Sequence, residues 1–380
     1  MSSAATVSIR RCFAVVHDPR REHGRLHTLW DLLAITICAV VSGADSWVEV
    51  AKYGVRKFDW LATFLELPNG IPSHDTFDRV FGLVDPQSLQ QGFHRWMGAL
   101  VEASAGRLVA IDGKTLRHSF DTADGRGALH LVSAWATENH LILGQQAVDS
   151  KSNEITAIPE LLRLLDITGA IVTIDAMGCQ KAIAKAIDDA GGDYVLALKD
   201  NHEALHAEVQ QLFVDGFDNG FAGLEHHRCR TEEQGHGRTE VREYHVISLP
   251  EEFAARHPEW VGLRSLGLVV RERQVGDGES TGEVQYYLSS LPPRVRTFAR
   301  AVRGHWGIEN SLHWVLDIAF REDESRLRKG HGPENLALLR RLAVSLLQNE
   351  GTETTGVACK RKQAGWDNEY LLQVLGASLK

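Results

Sequence analysis

The sequence has few cysteines, and they are not arranged as disulfide frameworks or structural zinc sites require. Five are scattered over 380 residues without a CxxC pair, namely Cys12, Cys38, Cys179, Cys229 and Cys359. Disulfide-held secreted domains carry even sets at short spacings. The cysteines therefore argue against a disulfide framework and predict a protein of the reducing cytoplasm.

Long apolar runs are also missing from the sequence. The longest, from Leu32 to Val41, is about half of the roughly 20 residues that a membrane span needs, so it predicts a buried helix. Arg10 and Arg11 lie near the N-terminus without the adjoining apolar core of a secretion signal. We therefore predict no membrane partner and no export.

Positive charge is scarce for a protein that would bind nucleic acid. The 41 Lys and Arg residues are outnumbered by 50 Asp and Glu residues, for a formal net charge of −9. Phosphate contacts depend on Lys and Arg, but the distribution of these residues matters more than their total. Residues 294–341 hold ten basic and six acidic side chains, so the net charge does not exclude DNA as a partner.

Residues 1–105 predict an all-helical N-terminal domain. Apolar stripes run over 26–41 and 48–67, and Ser73 is a good N-cap after the turn at 68–72. A tight turn followed by a short helix resembles a helix-turn-helix element that binds DNA. A plain helical bundle is the alternative.

The pattern from residue 106 predicts an α/β fold. Residues 106–216 hold strand-like runs at 108–117, 128–137, 141–149, 171–175 and 194–198, and helices at 154–165 and 181–189. Antiparallel strands followed by helix–strand alternation are typical of an RNase H-like core. Asp124-Gly125 predicts a turn between the first two strands. A β-rich insertion with a turn at Asp277-Gly278 is predicted over 217–291, and the helical end of the core over 292–380.

Two aspartates, Asp112 and Asp175, each close an apolar stretch of a strand-like run, over 108–112 and 171–175. If the two strands are neighbours, the carboxylates converge, and such like charges are unstable unless a cation joins them. Oxygen ligands select Mg²⁺ or Mn²⁺ over zinc. A turn or helix-cap role for each aspartate is the alternative.

A third carboxylate, Glu309, lies on a predicted helix over 303–314. At about 100° per residue, His305, Glu309 and His313 share one helix face, whereas Asp317 is about 80° away from Glu309. Three such carboxylates would suit metal-dependent phosphoryl transfer on nucleic acid. An ion pair between Glu309 and an arginine of the same helix is the alternative.

Several motifs resemble those of DDE transposases of bacterial insertion sequences. They are Ala110-Ile111-Asp112-Gly113-Lys114, Thr173-Ile174-Asp175-Ala176-Met177, Ala197-Leu198-Lys199-Asp200-Asn201 and His305-Trp306-Gly307-Ile308-Glu309-Asn310. The last motif is similar to the ISAs branch, which includes the H-repeat-associated proteins. The stretch from Asp18 to His74 resembles the domain that precedes the catalytic core in that branch.

The resemblance implies that Asp112, Asp175 and Glu309 are the catalytic triad and the ligands of Mg²⁺ or Mn²⁺. We expect double-stranded DNA as partner, both as terminal inverted repeats and as target, with a homodimer in the active complex. The N-terminal domain would recognise the element ends. The residues expected at the DNA are Lys114, Arg117, Lys199, Arg303, His305, Arg321, Arg326, Arg328 and Lys329.

The sequence departs from the wider group at three positions around Glu309. That group has Tyr seven residues before its Glu, Arg four before and Lys seven after, where this chain has Val302, His305 and Leu316. The expected substitutes for these phosphate contacts are His305, Arg303 and Arg321. Two rival functions stay open, namely a catalytically silent DNA-binding remnant and an RNase H-like nuclease without strand transfer.

Overall fold

The structure is a computed structural model that describes residues 8–100, 108–120, 127–148, 153–235, 237–275 and 280–376. The predicted turns at Asp124-Gly125 and Asp277-Gly278 lie outside these residues, as does the predicted boundary at 105–106. In the described part, helices precede the first strand: α1 (Ile9–Cys12), α2 (Leu29–Val41), α3 (Trp47–Arg56), α4 (Phe58–Leu61), α5 (His74–Phe81) and α6 (Pro86–Leu100).

The central part of the chain mixes strands and helices. Its elements are β1 (Leu108–Thr115), β2 (His130–Ala136), β3 (Leu141–Ala147), α7 (Glu154–Arg163), β4 (Ile171–Ile174), α8 (Lys181–Asp189), β5 (Asp193–Leu198), α9 (Glu203–Asn219), β6 (His226–Gly235), β7 (Arg238–Ser248), α10 (Glu251–Arg256), β8 (Ser265–Val275) and β9 (Thr281–Ser289). Helices then follow: α11 (Val295–Gly307), a π-helical segment (Ile308–His313), α12 (Trp314–Phe320), α13 (Gly332–Asn349), α14 (Val357–Trp366) and α15 (Asn368–Leu375).

Hydroxyl side chains begin three of the N-terminal helices. Thr28, Ser46 and Ser73 precede α2, α3 and α5, and each side-chain oxygen accepts the backbone N–H of the third residue that follows. Each bond satisfies a donor that the first helical turn leaves unpaired. The prediction that Ser73 caps a short helix is therefore confirmed.

The described strands form one nine-stranded sheet in the order β3-β2-β1-β4-β5-β9-β8-β7-β6. The strands β1, β4 and β5 are parallel to one another, and β2 and β3 pair antiparallel beside β1. The four strands of the predicted insertion extend the same sheet, because β9 pairs antiparallel with β5. The β-rich segment is thus continuous with the central sheet.

Both faces of the sheet are covered in its central part. On β1, Val109 and Ile111 belong to the apolar cluster that includes α7 and α8, whereas Leu108 and Ala110 belong to clusters on the opposite face. Alternation along a strand directs successive side chains to opposite faces, and parallel strands are normally buried on both. The position of β1 in the middle of the sheet follows from this apolar pattern.

The structure also shows the state of the cysteines and the character of the helices. All five cysteines are free. No helix in the described ranges is both long and apolar enough to cross a bilayer.

The two ends of the chain share one hydrophobic core. A single apolar cluster contains Leu32 of α2, Leu342 of α13 and Leu371 of α15. The Arg361 side chain, 4% exposed, donates to the backbone oxygens of Val40 and Ala44 at the end of α2, at 3.0 and 2.9 Å. Carbonyls at a helix end need such donors when they are buried. The C-terminal helices therefore complete the hydrophobic core of the N-terminal helices and supply hydrogen-bond donors to the end of α2.

From their apolar stripes and caps, residues 1–105 are predicted to fold alone as a fragment. The contacts with the C-terminal helices lead us to expect instead that this fragment folds poorly. It would expose the surface that α13 and α15 cover and would lose the buried Arg361 donors. Circular dichroism should show incomplete helicity and no cooperative melting. A fragment that melts as cooperatively as the full chain would contradict this expectation.

A buried ion pair joins α13 to the segment after α12. Arg341 Nη1 lies 2.8 Å from Glu322 Oε1, and both side chains are 0% exposed. Arg341 Nε also donates to Ser133 Oγ of β2 at 3.2 Å. Removing one partner of such a pair leaves an uncompensated buried charge.

Arg341→Met should lower the free energy of unfolding by about 3–5 kcal/mol, because Glu322 is left unpaired. The double variant Arg341→Met/Glu322→Met should be much closer to wild type. Urea unfolding of the four proteins measures the coupling. Additive losses would show that the two charges do not depend on each other.

Candidate active site

The two aspartates of the predicted triad lie side by side at one edge of the sheet. The strands β1 and β4 are adjacent and parallel, as predicted, and Ile111 is in register with Ile174. Asp112 is the next residue of β1, which continues to Thr115, and Asp175 directly follows β4. Asp112 Oδ1 accepts the N–H of Gly113 at 2.9 Å, and Asp175 Oδ1 accepts the N–H of Gly178 at 3.2 Å. Asp175 therefore accepts a hydrogen bond in the turn that follows it, as the alternative prediction proposed. It also lies beside Asp112 at the edge of the sheet.

Two glycines allow the helix that carries Glu309 to lie close to the sheet. A Cβ atom on Gly304 would be 2.0 Å from Leu108 Cδ2, and one on Gly307 would be 2.8 Å from Thr137 Cγ2. The chain then forms a π-helix over 308–313, so the α-helical spacing used to place Glu309 does not hold there. Such π segments occur frequently at functional sites.

Two imidazoles connect this helix to the strands that bear the aspartates. His305 Nδ1 and Thr173 Oγ1 of β4 are hydrogen-bonded at 3.0 Å, and His313 Nδ1 lies 3.4 Å from Asp112 Oδ2. Burial lowers the pKa of His305 to about 4, and burial with nearby cations lowers the pKa of His313 to about 3. Both rings are therefore neutral at pH 7 and act through hydrogen bonds and packing.

Glu309 lies on an open cavity of about 200 Å³ that Asp175, His305 and Lys199 also line. The Glu309 side chain is exposed, and Lys199 is exposed as well. The arginines weighed as partners of Glu309 pair elsewhere, since Arg303 bonds to Glu233 of β6. The Glu309 carboxylate thus faces solvent beside Asp175.

Burial and mutual repulsion disfavour the charged forms of the three carboxylates. Burial raises the pKa of Asp112 to about 7, and the charges of Asp175, Glu309 and Glu154 add to this effect. The pKa of Asp175 is raised by burial and by the charge of Glu154. The pKa of Glu309, although this residue is exposed, is raised by partial desolvation of its carboxylate at the cavity and by the charge of Asp175. No three His, Cys, Asp or Glu side chains of the described residues are arranged as a ready metal site. The oxygen-only donors nevertheless match the chemistry of Mg²⁺ or Mn²⁺.

A fourth carboxylate, Glu154, was not identified from the sequence. It lies in the first turn of α7, and its Oε1 is 2.6 Å from His130 Nε2. The His130 Nδ1 atom lies 2.7 Å from Thr115 Oγ1. A Cβ on Gly113 would be 2.3 Å from Glu154 Oε1, so Glu154 directly adjoins the residue after Asp112. The sequence signal that could have identified Glu154 is an acidic residue at the start of the predicted helix over 154–165. That helix lies in sequence between the two strands that carry the aspartates.

Two of the predicted DNA-contact residues are paired with acidic neighbours. Lys114 Nζ lies 2.9 Å from Asp317 Oδ2 and 3.2 Å from Asp323 Oδ1. Arg117 Nε lies 3.2 Å from Asp323 Oδ2. The Lys114 side chain is largely buried in this network, whereas that of Arg117 is exposed.

Three residues were expected to replace the phosphate contacts of the wider group, and they differ in accessibility. Arg303 is exposed but is held by Glu233, and Arg321 is exposed and paired with Glu324. His305 is directed at β4 and is neutral. Only the two arginines of this group therefore present charge at the surface.

The remaining predicted contacts lie after α12 or at the cavity. Lys199, Arg326 and Lys329 are exposed. Arg328 is half-buried, and its guanidinium carbon lies 4.5 Å from the ring centre of Phe120. Arg328 Nε also donates to the His118 backbone oxygen at 3.4 Å, just after β1.

Comparison with known proteins relates the chain to transposases over most of its length. Residues 103–346 match the family described as "Transposase DDE domain", and residues 10–97 match that described as "DDE_Tnp_1-associated". The chain belongs to the DDE transposase family. Members of this family generally use divalent metal ions.

Its relatives in the family are similar over nearly their full length. "Putative transposase YncI" of Escherichia coli O157:H7 is 40% identical over 96% of this chain and 93% of its own. "H repeat-associated putative transposase YhhI" of Escherichia coli K12 is 39% identical over 96% of this chain and 97% of its own. A much shorter match, over 18% of this chain, is "Inactive transposase YbfQ" of the same strain.

Proposed function

We propose that this protein is a DNA transposase that binds the terminal inverted repeats of its insertion sequence, cleaves the DNA ends and joins them to target DNA. The observation that carries the proposal is the position of Asp112 and Asp175 on adjacent parallel strands, with Glu309 beside Asp175 on one open cavity. Membership in the DDE transposase family supports the same reaction.

The first five strands are the proposed RNase H-like core. Their order, β3-β2-β1-β4-β5, combines two antiparallel strands beside β1 with two parallel ones. Helices α7 and α8 cover one face, and α11 crosses the other. The segment 217–291 is then an insertion between the second aspartate and Glu309, and 1–105 is the proposed DNA-binding part.

Asp112, Asp175 and Glu309 would hold Mg²⁺ or Mn²⁺ through their carboxylate oxygens. When bound, such an ion polarises a phosphate and activates a water molecule or a 3′-hydroxyl for in-line displacement. His305 and His313 position the Glu309 segment by contacts to β4 and β1. Lys199, which lines the cavity, would contact a phosphate of the scissile strand.

The partners of the proposed reaction are terminal and target DNA, with a homodimer in the active complex and a cytoplasmic location. The exposed Arg326 and Lys329, and the arginines Arg117, Arg303, Arg321 and Arg328, remain candidates for phosphate contacts, and Lys114 and His305 would act from within the site. Contacts of this kind should make binding weaken steeply with salt.

A catalytically silent DNA-binding protein is the second candidate, and the name of the YbfQ relative shows that inactive proteins occur among the similar sequences. A nuclease without strand transfer is the third. An assay that supplies pre-cleaved ends separates them, since only a transposase joins these ends to a second duplex.

Asp112→Asn, Asp175→Asn and Glu309→Gln should each reduce Mg²⁺-dependent cleavage of element ends by about a thousandfold or more. The expected cause is loss of several kcal/mol of transition-state stabilisation from a metal ligand. Gel assays with labelled ends measure cleavage, and the melting temperature monitors the fold. Asp189→Asn, on the exposed end of α8, is the matched control and should remain active.

Cleavage that survives in one of these variants would remove that carboxylate from the triad. Wild-type protein that binds the ends but neither cleaves nor joins them, under conditions in which it is folded, would favour the silent candidate.

Glu154→Gln should weaken Mn²⁺ binding and cleavage by about 10–100-fold, as is usual when a group that orients metal ligands is lost. Titration calorimetry with Mn²⁺ gives a readout that does not need DNA. Glu160→Gln, an exposed site on the same helix, is the control. Unchanged Mn²⁺ affinity in Glu154→Gln would make the contact with His130 purely structural.

A further inference from the structure

An arginine of strand β8 lies beside the cavity that Asp175 and Glu309 line. Arg271 lines a smaller cleft between the sheet and α11. Five residues, among them Glu283 of β9 and Trp306 of α11, line both this cleft and the cavity at Asp175. The two spaces therefore adjoin, and Arg271 borders the candidate active site without being one of its carboxylate neighbours in sequence.

Three elements hold the Arg271 guanidinium in place. Its Cζ atom lies 5.1 Å from the ring centre of Trp306. Its Nη2 lies 3.4 Å from Glu283 Oε2, and its Nε lies 3.5 Å from Glu240 Oε1 of β7. The side chain is nevertheless 26% exposed. A guanidinium over an aromatic ring is attracted to its face, so Arg271 combines a defined position with access to solvent.

The neighbouring strands place a second arginine directly opposite the first. Arg271 is in register with Arg242 of β7 on one side and with Glu283 of β9 on the other. Like charges directly opposite each other are unfavourable. Glu240 compensates Arg242 more closely, because its Oε1 lies 2.5 Å from Arg242 Nη2 and 3.5 Å from Arg271 Nε. Arg271 is therefore the less well neutralised of the two arginines.

Arg271 also has the loosest carboxylate contacts of this network. Arg303 donates to both oxygens of Glu233, at 3.0 and 2.7 Å. The contacts of Arg271 are 3.4 and 3.5 Å, longer than the roughly 2.7–2.9 Å of charge-assisted hydrogen bonds. Its side chain donates no hydrogen bond to another residue of the described ranges. A guanidinium carries five N–H donors and accepts none, so these donors remain available to an anion.

Glu283 is the natural competitor of such an anion. Its side chain is 52% exposed, and it lines the cavity with Asp175, Glu309 and Lys199. Lys199 is the one basic residue of that lining. An arginine recognises carboxylate and phosphate oxygens with the same fork of donors. A phosphate at the cavity could therefore take the place of the Glu283 carboxylate at Arg271.

We propose that Arg271 binds a backbone phosphate of the DNA strand at the Asp175 and Glu309 cavity, and that Glu283 pairs with Arg271 until this phosphate displaces it. The inference rests on the proposed function and adds to it a contact from β8, outside the residues expected at the DNA. Displaced Glu283 would turn to solvent, whereas Trp306 would keep the guanidinium in place.

Equilibrium binding of the full chain to labelled DNA tests the contact. Fluorescence anisotropy without divalent metal, with a terminal-repeat duplex and a random duplex, excludes any contribution from cleavage. Arg271→Gln should weaken binding to both by about 10–100-fold, the usual effect of losing a hydrogen bond to a charged group. Arg264→Gln is the matched control and should bind as wild type does, because this exposed residue lies about 23 Å away along the strand.

Single neutral phosphates locate the contact on the DNA. Duplexes with one methylphosphonate, at successive positions around the cleavage point, lack one backbone charge each. Wild type should lose about tenfold or more in affinity at the position that Arg271 contacts. Arg271→Gln should show no further loss at that position. A purely structural role of Arg271 would leave the profile of losses unchanged, and that result would overturn the proposal.

Glu283→Gln tests the competition. It should tighten DNA binding by up to about fivefold, because an exposed ion pair no longer has to be broken, and this gain should disappear in the Arg271→Gln background. Glu272→Gln removes the same charge from an exposed neighbour of Arg271 on the opposite face of β8. Equal gains from Glu283→Gln and Glu272→Gln would show general electrostatics and would overturn the role of Glu283.

Two outcomes separate this proposal from the proposed function. Wild type that prefers terminal repeats, with unchanged affinity and an unchanged methylphosphonate profile in folded Arg271→Gln, would overturn the Arg271 contact alone. Folded wild type that binds neither duplex would overturn both. Melting temperatures monitor the fold. Arg271→Lys keeps the charge but not the fork of donors, and it should give an intermediate loss if Arg271→Gln does not fold.

Discussion

The parallel pairing of β1 with β4 determines where the acidic groups of the candidate site meet. Parallel strands end at the same edge of a sheet, so residues that follow registered partners lie side by side. A parallel pair also requires a long crossover, and here the crossover contains β2, β3 and α7. Because α7 returns the chain to β4, its first turn brings Glu154 to the edge that holds Asp112 and Asp175. One pairing thus gathers three acidic residues that are far apart in sequence.

Repulsion among these groups requires the surrounding structure to hold them in place. His305 and His313 contact β4 and β1 respectively, so the segment that carries Glu309 is attached to both aspartate strands. The absence of side chains at Gly304 and Gly307 lets α11 lie close enough for these contacts. The π-helical segment then changes the direction of Glu309 relative to an ideal α-helix. The geometry depends on packing against the sheet more than on helical spacing.

How much of the fold and of the candidate site could be predicted from the sequence depends on whether each feature is determined by local or by distant contacts. The strands that carry Asp112 and Asp175 were predicted because apolar runs are local patterns, and their adjacency is confirmed. The predicted strand end at Asp112 is wrong, because β1 continues to Thr115 through its pairing with β2. Neither the pairing of β9 with β5 nor the π-helical segment could be predicted, since both depend on partners distant in the chain. Glu154 was overlooked for the same reason, because a first-turn Glu is an ordinary helix feature until the fold places it beside His130. The assignment of Asp112, Asp175 and Glu309 as catalytic stays a prediction.

Counting charges along the sequence overstates the basic surface near Glu309. Arg340 and Arg341 are 1% and 0% exposed, and they belong to the ten basic residues of 294–341. Arg340 donates to the Asp45 backbone oxygen at 3.0 Å, and Arg361 caps the end of α2. Arg340 and Arg361 hold the N-terminal helices to the C-terminal ones, whereas Arg341 is paired with Glu322. None of these three buried arginines is available to phosphate. With a net charge of −9, the phosphate contacts of the proposed function would have to come from the exposed and half-buried basic residues alone.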